Sequence, residues 1–134
     1  MTFKLILTGD VNLMNVTDPD VPFRKVRNAF GAADLIFSNL ECCLTERLNE
    51  GSTHVEGFFS DPKVTETALK SAGIEVVGLA NNVNYGEQAI NESIGYLDRA
   101  GFLHTGAGAD DAAARAPAII ERNGKKIAFL QRSS

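Results

Sequence analysis

Apolar runs of strand length alternate along this chain with stretches of helical period, the pattern that produces a largely parallel sheet covered by helices. The strand candidates are Lys4–Thr8, Asp34–Asn39, Glu75–Leu79, Phe102–His104, Ala118–Glu121 and Ile127–Leu130. Between them, Pro22 is placed to open a helix reaching Phe30, with Val26 and Phe30 on one face and Gly31 ending it. Asp61-Pro62 is a second start signal, a capping carboxylate followed by a proline whose missing N–H costs nothing there. Val64, Ala68 and Leu69 supply its inward stripe before Gly73. A third helix runs from about Gly86 to Ala100, with Ile90, Ile94 and Leu97 facing in and Gly101 as its stop.

Asn123-Gly124 between two β-like runs is a strong hairpin signal. Ala118 to Leu130 therefore reads as an antiparallel pair, and the expected fold is α/β with a mixed, mainly parallel sheet. The segment Thr45 to Gly57 has no clear period, and with Asn49, Gly51, Ser52 and Thr53 it reads as a surface loop long enough for a binding role.

Composition narrows the function classes. A length of 134 residues, 44% hydrophobic and 22% charged, suits one globular domain spanning 1–134. Acids outnumber bases 17 to 13, which argues against a phosphate-backbone surface, so no nucleic-acid partner is expected. Arg24-Lys25-Val26-Arg27 reads as the solvated face of a helix. No apolar run approaches the roughly 18 residues of a membrane span. The opening segment reaches the turn signal Gly9-Asp10 too soon for a signal peptide. Cys42 and Cys43 are adjacent, and a bridge between neighbours is strained. A reducing, cytoplasmic location follows as the expectation, although an exported form trimmed of its signal would carry the same features.

In open α/β sheets ligands bind beyond the carboxyl ends of the strands, so polar residues just after a strand carry the most interest. Such clusters are Thr8-Gly9-Asp10-Val11-Asn12, Ser38-Asn39-Leu40-Glu41 and Gly78-Leu79-Ala80-Asn81-Asn82-Val83-Asn84-Tyr85-Gly86. Asp10, Glu41 and the Asn81/Asn82 pair offer carboxylate and amide oxygens from neighbouring strand ends, a donor set for Mg, Mn or Zn. Taken singly, Asp10 is more often a turn residue or helix cap, Glu41 a solvated surface acid, and the asparagines an Asx-turn ending a strand. His54 reads as an exposed loop residue or a substrate contact brought in by the loop. His104 reads as a hydrogen-bonded histidine at a strand end or as a group facing the crevice. Gly106-Ala107-Gly108 lacks the third glycine of a dinucleotide fingerprint, because position 111 is Asp111. Cys42 and Cys43 fit buried packing better than nucleophilic roles.

These clusters, in this order, resemble the bacterial capsule-synthesis CapA family, associated with poly-γ-glutamate capsule production and similar in fold to calcineurin-like metallophosphoesterases. The matching segments are Gly9-Asp10-Val11-Asn12-Leu13-Met14, Asn39-Leu40-Glu41, Phe59-Ser60-Asp61-Pro62 and Ala80-Asn81-Asn82. They continue through Tyr85-Gly86, Gly101 to Gly108, and the Ala116-Pro117 to Gly124 hairpin. The resemblance implies a two-metal-like centre of Mn, Fe, Zn or Mg, with Asp10 as the first metal carboxylate, Glu41 as a bridging acid and Asn82 as an amide ligand. Asn82 and His104 are the catalytic candidates, and Asn12, Asn39, Asn81, Asn84, Tyr85 and His54 the candidate substrate contacts. Where the family continues its asparagine pair with a His and then an Asp, this chain has Val83-Asn84-Tyr85-Gly86, and Asn12 stands where phosphoesterases commonly use His.

The family domain is longer, and an apolar edge such as Ile127–Leu130 calls for cover. The site is therefore expected to be completed by a C-terminal continuation or by a partner copy in a homo-oligomer. The expected function is a hydrolase-type or lyase-type enzyme acting on a small anionic substrate, with chemistry altered by loss of the His and Asp. The alternatives are a non-catalytic binding or assembly module that retains the fold, and a flavodoxin-like phosphate binder using Gly106–Gly108.

Overall fold

The computed structural model describes residues 2–46, 58–84 and 86–133. Its central sheet has four parallel strands in the order β1 (Leu5–Val11), β2 (Leu35–Leu40), β5 (Val76–Gly78) and β6 (Leu103–Thr105). Chain order and spatial order coincide. Right-handed crossovers between strands laid down in sequence put every connection on one face. That face carries α1 (Arg27–Phe30), α2 (Pro62–Ser71) and α3 (Glu87–Ala100). A flavodoxin-like order would place the first strand inside the sheet. Here β1 is an edge, so that alternative is set aside.

The larger core lies between sheet and helices, where Ile36, Leu40 and Val77 meet Ala68, Leu69 and Leu97. Buried hydroxyls there are paired. Ser93 accepts from the Leu44 N–H at 2.8 Å and donates to Ala89 O at 2.6 Å. This ties α3 to β3 (Cys43–Leu44), which pairs in parallel with β4 (Phe59–Ser60). Ser60 lies 2.8 Å from the Thr65 hydroxyl and 3.2 Å from Cys42 Sγ.

The opposite face of the sheet is covered by the hairpin β7 (Ala118–Arg122) and β8 (Lys125–Phe129), which follows the short helix α4 (Asp111–Ala114). The expected hairpin is present, with Asn123 and Gly124 both at positive φ. It forms a separate two-stranded sheet lying on the parallel one instead of lengthening it. Phe129 stacks on Phe37 with centroids 5.0 Å apart, in a second core with Leu35, Val76 and Ala118. At its turn end, Arg122 pairs with Glu75 at 2.6 Å and Asn123 donates to Asp34 at 3.0 Å.

The helix expected from Pro22 is a correction. Only Arg27–Phe30 is α-helical, and the residues before it form successive turns. Phe23, 6% exposed, is the inward anchor, packed 6.2 Å from Phe30, while Val26 is exposed. Val21, Val26 and two adjacent like charges give the segment little helical propensity to resist those turns. The second helix follows its signals, with Asp61 Oδ1 accepting from the Val64 N–H at 2.9 Å. No helix among the described residues is long and apolar enough to cross a membrane.

Candidate functional site

The parallel register brings Asp10 of β1 opposite Asn39 of β2, after an irregularity between Leu7 and Asp10 that turns the end of the strand. Asn39 is in turn opposite Gly78 of β5. Three predicted clusters thus meet at adjacent strand ends. Asp10 is exposed, and the Asn39 side chain donates to its Oδ1 at 2.6 Å. Glu41, half-buried, sits one residue past β2, with its backbone N–H bonded to Val11 O at 2.9 Å. Asn82 is exposed in the turn after β5.

The other asparagines are occupied in holding this surface together. Asn12 Oδ1 accepts from the Met14 N–H at 2.9 Å, forming the Asx-turn that leads out of β1. Asn81 Oδ1 accepts from the backbone N–H groups of Val83 and Asn84 at 3.2 and 3.0 Å, and its amide donates to Leu40 O at 2.9 Å. Asn84 donates to both Leu40 O and Leu79 O, at 3.2 and 3.0 Å, stitching the end of β2 to that of β5. Its Oδ1 is buried with no partner. Tyr85 and His54 lie outside the described residues.

His104 is not brought to this cluster by any contact. Its Nε2 lies 3.0 Å from the Asp98 carboxylate in the last turn of α3, and its Nδ1 is buried without a partner. Cys42 and Cys43 are buried, and burial raises the Cys42 thiol above its ordinary pKa, which keeps it protonated and unreactive.

Gln131, just beyond β8, is a site residue that the sequence pattern does not single out. It accepts from the Ala80 N–H at 3.1 Å and donates to Asn39 Oδ1 at 2.7 Å, so the hairpin face reaches the strand ends through it. The one signal was the small residue Gly78, where a Cβ would overlap Gln131. Gln131 also walls a cleft of about 440 Å³ at the ends of β5 and β6, with Asn81, Asn84, Arg115 and Arg132 around it. Arg115 is partly engaged, 2.8 Å from Asp111. A second cavity of about 260 Å³ lies between α2 and α3, lined by residues such as Leu69, Tyr96 and Phe102, and holds none of the predicted groups.

As a metal site this arrangement is partial. Among the described residues no three His, Cys, Asp or Glu side chains gather to hold an ion. Asp10 has the form of a ligating carboxylate, one oxygen oriented by a neighbouring amide. Divalent cations take four to eight ligands, so Asp10, Glu41 and Asn82 would by themselves be too few to hold one.

Comparison with known proteins places this partial site in a longer frame. Two Sinorhizobium fredii (strain NBRC 101917 / NGR234) proteins, Uncharacterized protein y4sH and Uncharacterized protein y4uA, are each 30% identical to the chain over 139 residues. The match covers 96% of this chain but only 30% of each relative, so the chain spans less than a third of their length. The family pattern described as "Bacterial capsule synthesis protein PGA_cap" matches residues 4–134. With the parallel sheet and its strand-end cluster lying inside that match, the chain belongs to the bacterial capsule synthesis protein family PGA_cap.

Proposed function

We propose that Asp10, Glu41 and Asn82 form one side of the active site of a metal-dependent enzyme, hydrolase or lyase in type. Its substrate is a small anion linked to capsule or poly-γ-glutamate metabolism. The observation that carries this reading is the exposed Asp10 carboxylate, held through one oxygen by Asn39 at 2.6 Å at the junction of three strand ends. A tied carboxylate keeps its remaining lone pairs in a fixed direction, which favours a cation over a mobile water shell. Arg115 and Arg132 on the neighbouring cleft give an anionic group an electrostatic partner.

When bound, Mn, Fe, Zn or Mg would polarise a phosphoryl or carboxyl oxygen and bring a water into the neutral pKa range. The chain's own part is narrower. Asp10 and Glu41 supply negative charge and direction, Asn82 supplies an exposed amide that binds without titrating, and Asn39 and Asn81 hold the strand ends in register. The ligands still needed would come from a further segment, such as the longer relatives carry, or from a partner copy.

Metal content by elemental analysis, on intact protein purified without chelator, tests the reading. Near-stoichiometric Mn, Fe or Zn in the wild type, lost in both Asp10→Ala and Glu41→Ala, is expected. A folded intact protein without metal would overturn it. The second reading, a non-catalytic binding or assembly module, is favoured by one observation: the amides of Asn81 and Asn84 are engaged in stitching β2 to β5. It predicts capsule-polymer binding that survives a chelator.

A further inference from the structure

The strand ends carry a chain of side-chain amides that runs from a backbone donor at one end to a carboxylate acceptor at the other. The Ala80 backbone N–H can only donate, and Gln131 Oε1 receives it at 3.1 Å. That contact turns the Nε2 of Gln131 toward Asn39, where it donates to Oδ1 at 2.7 Å. With its oxygen so engaged, Asn39 presents Nδ2 to Asp10, at 2.6 Å. A primary amide can be reversed with almost no change of shape, so shape alone does not decide which atom Asn39 shows to Asp10. The sequence of donors does. Reversed, Asn39 would set an acceptor oxygen against an acceptor carboxylate, and Asp10 would turn away from it.

We infer that Gln131 is a positioning residue: it fixes the orientation of the Asn39 amide and, through it, the direction of the Asp10 carboxylate. The inference deepens the reading above, since it takes Asp10 as the working carboxylate. Two features of the fold admit Gln131 to this place. The hairpin ends directly above the sheet, and Gly78 leaves the space its side chain fills. Asn81 is a weaker second donor to Asn39, with its Nδ2 3.5 Å from the same oxygen, so removing Gln131 loosens the orientation without abolishing it.

Gln131→Met keeps the volume and removes both polar contacts. In Gln131→Glu the acceptor for Ala80 remains, but an oxygen is offered to Asn39, which favours the reversed amide. The experiment follows the Asn39 side-chain NH₂ and the Asp10 carboxyl carbon by NMR in intact, metal-free protein. Assignments come from Asn39→Ala and Asp10→Asn, and the backbone spectrum serves as the check on folding. Both variants are expected to shift the Asn39 and Asp10 signals and to speed solvent exchange of the Asn39 amide by about tenfold or more, while distant residues stay in place. In Mn²⁺ titrations, Gln131→Met is expected to bind about tenfold more weakly than wild type, the usual scale for a group that orients a ligand. Unchanged Asn39 exchange and Asp10 shift in folded Gln131→Met would overturn the inference, because a space-filling residue gives that result. Wild type that takes up no Mn²⁺, yet loses Asn39 protection and shifts Asp10 in both variants, would support the positioning role and count against the metal reading alone.

Discussion

Gly78 and Gln131 meet at a boundary that has no room for a side chain on the strand: a Cβ at position 78 would overlap Gln131 Oε1 and stand 2.9 Å from the Phe37 ring. Neither neighbour can move freely, since Phe37 is stacked on Phe129 and Gln131 is bonded at both ends of its amide. Gly78→Ala is therefore expected to destabilise the fold by about 1–3 kcal/mol, the range for overpacking a filled site. Chemical denaturation measures this. Stability equal to wild type would mean that Gln131 yields at no cost, and the tight seat assigned to it would be wrong.

A carboxylate in place of the Asn84 amide is expected to harm the protein. The Asn84 amide nitrogen serves two carbonyls, Leu40 O and Leu79 O. In Asn84→Asp both carbonyls would face a carboxylate and keep only their Asn81 donors, the side-chain amide at Leu40 O and the backbone N–H at Leu79 O, an expected loss of about 1–3 kcal/mol. A protonated Asp can still donate once, so the loss should shrink as pH falls toward the ordinary carboxyl range and be smallest below it. Denaturation at neutral and acid pH checks both size and trend. A neutral-pH variant as stable as wild type would show that the two carbonyls do not depend on Asn84.

The sheet was legible because its strands are apolar runs between turn signals, and β1, β2, β5 and β6 fall where those runs predict, within a few residues. The α2 helix was equally plain, since Asp61-Pro62 is a local signal that acts locally. The two-residue strands Cys43–Leu44 and Phe59–Ser60 are different. They exist only through pairing with each other across the chain, and no period shows in so short a run. The segment after Pro22 misled because Phe23, not Val26, is the buried anchor, and burial is decided by what lies opposite. Asp10, Glu41 and the asparagines were visible by their position after strands. Which of them face outward was not, because the Asn81 and Asn84 side chains are committed to backbone atoms some forty residues away in β2. Gln131 was invisible for the same reason: its partners Asn39 and Ala80 are 92 and 51 residues away along the chain.

The hairpin meets the sheet through the Phe37–Phe129 stack and, at its turn end, through the partly exposed Arg122–Glu75 pair. Partly exposed ion pairs contribute about 1 kcal/mol or less, whereas truncating a buried aromatic costs about 3–5 kcal/mol. Phe129→Ala should thus be several times more damaging than Arg122→Met. It should also release Gln131, which follows two residues later. Comparison of the two variants by urea denaturation decides it, and equal losses would place the anchoring at the ion pair instead.

Cys42 gives a pH dependence whose sign can be worked out. Burial raises its thiol above the ordinary value of 9.0, the hydrogen bond with Ser60 offsetting part of the effect. In the unfolded chain the thiol ionises near that ordinary value, while in the folded protein it keeps its proton. Above that pH the native state therefore binds more protons than the unfolded one, and stability falls as pH rises, by up to about 1.4 kcal/mol per unit for a single group. The fall begins near the ordinary thiol pKa and stops once the folded value is passed; below it, Cys42 contributes no slope. Other groups titrate in the same range, so the informative quantity is the difference between wild type and Cys42→Ala at about pH 7 and about pH 10. Wild type should lose part of its advantage at the higher pH. An advantage that stays constant, or grows, would mean that the thiolate is tolerated where it sits, and that Cys42 is a reactive group and not a packing residue.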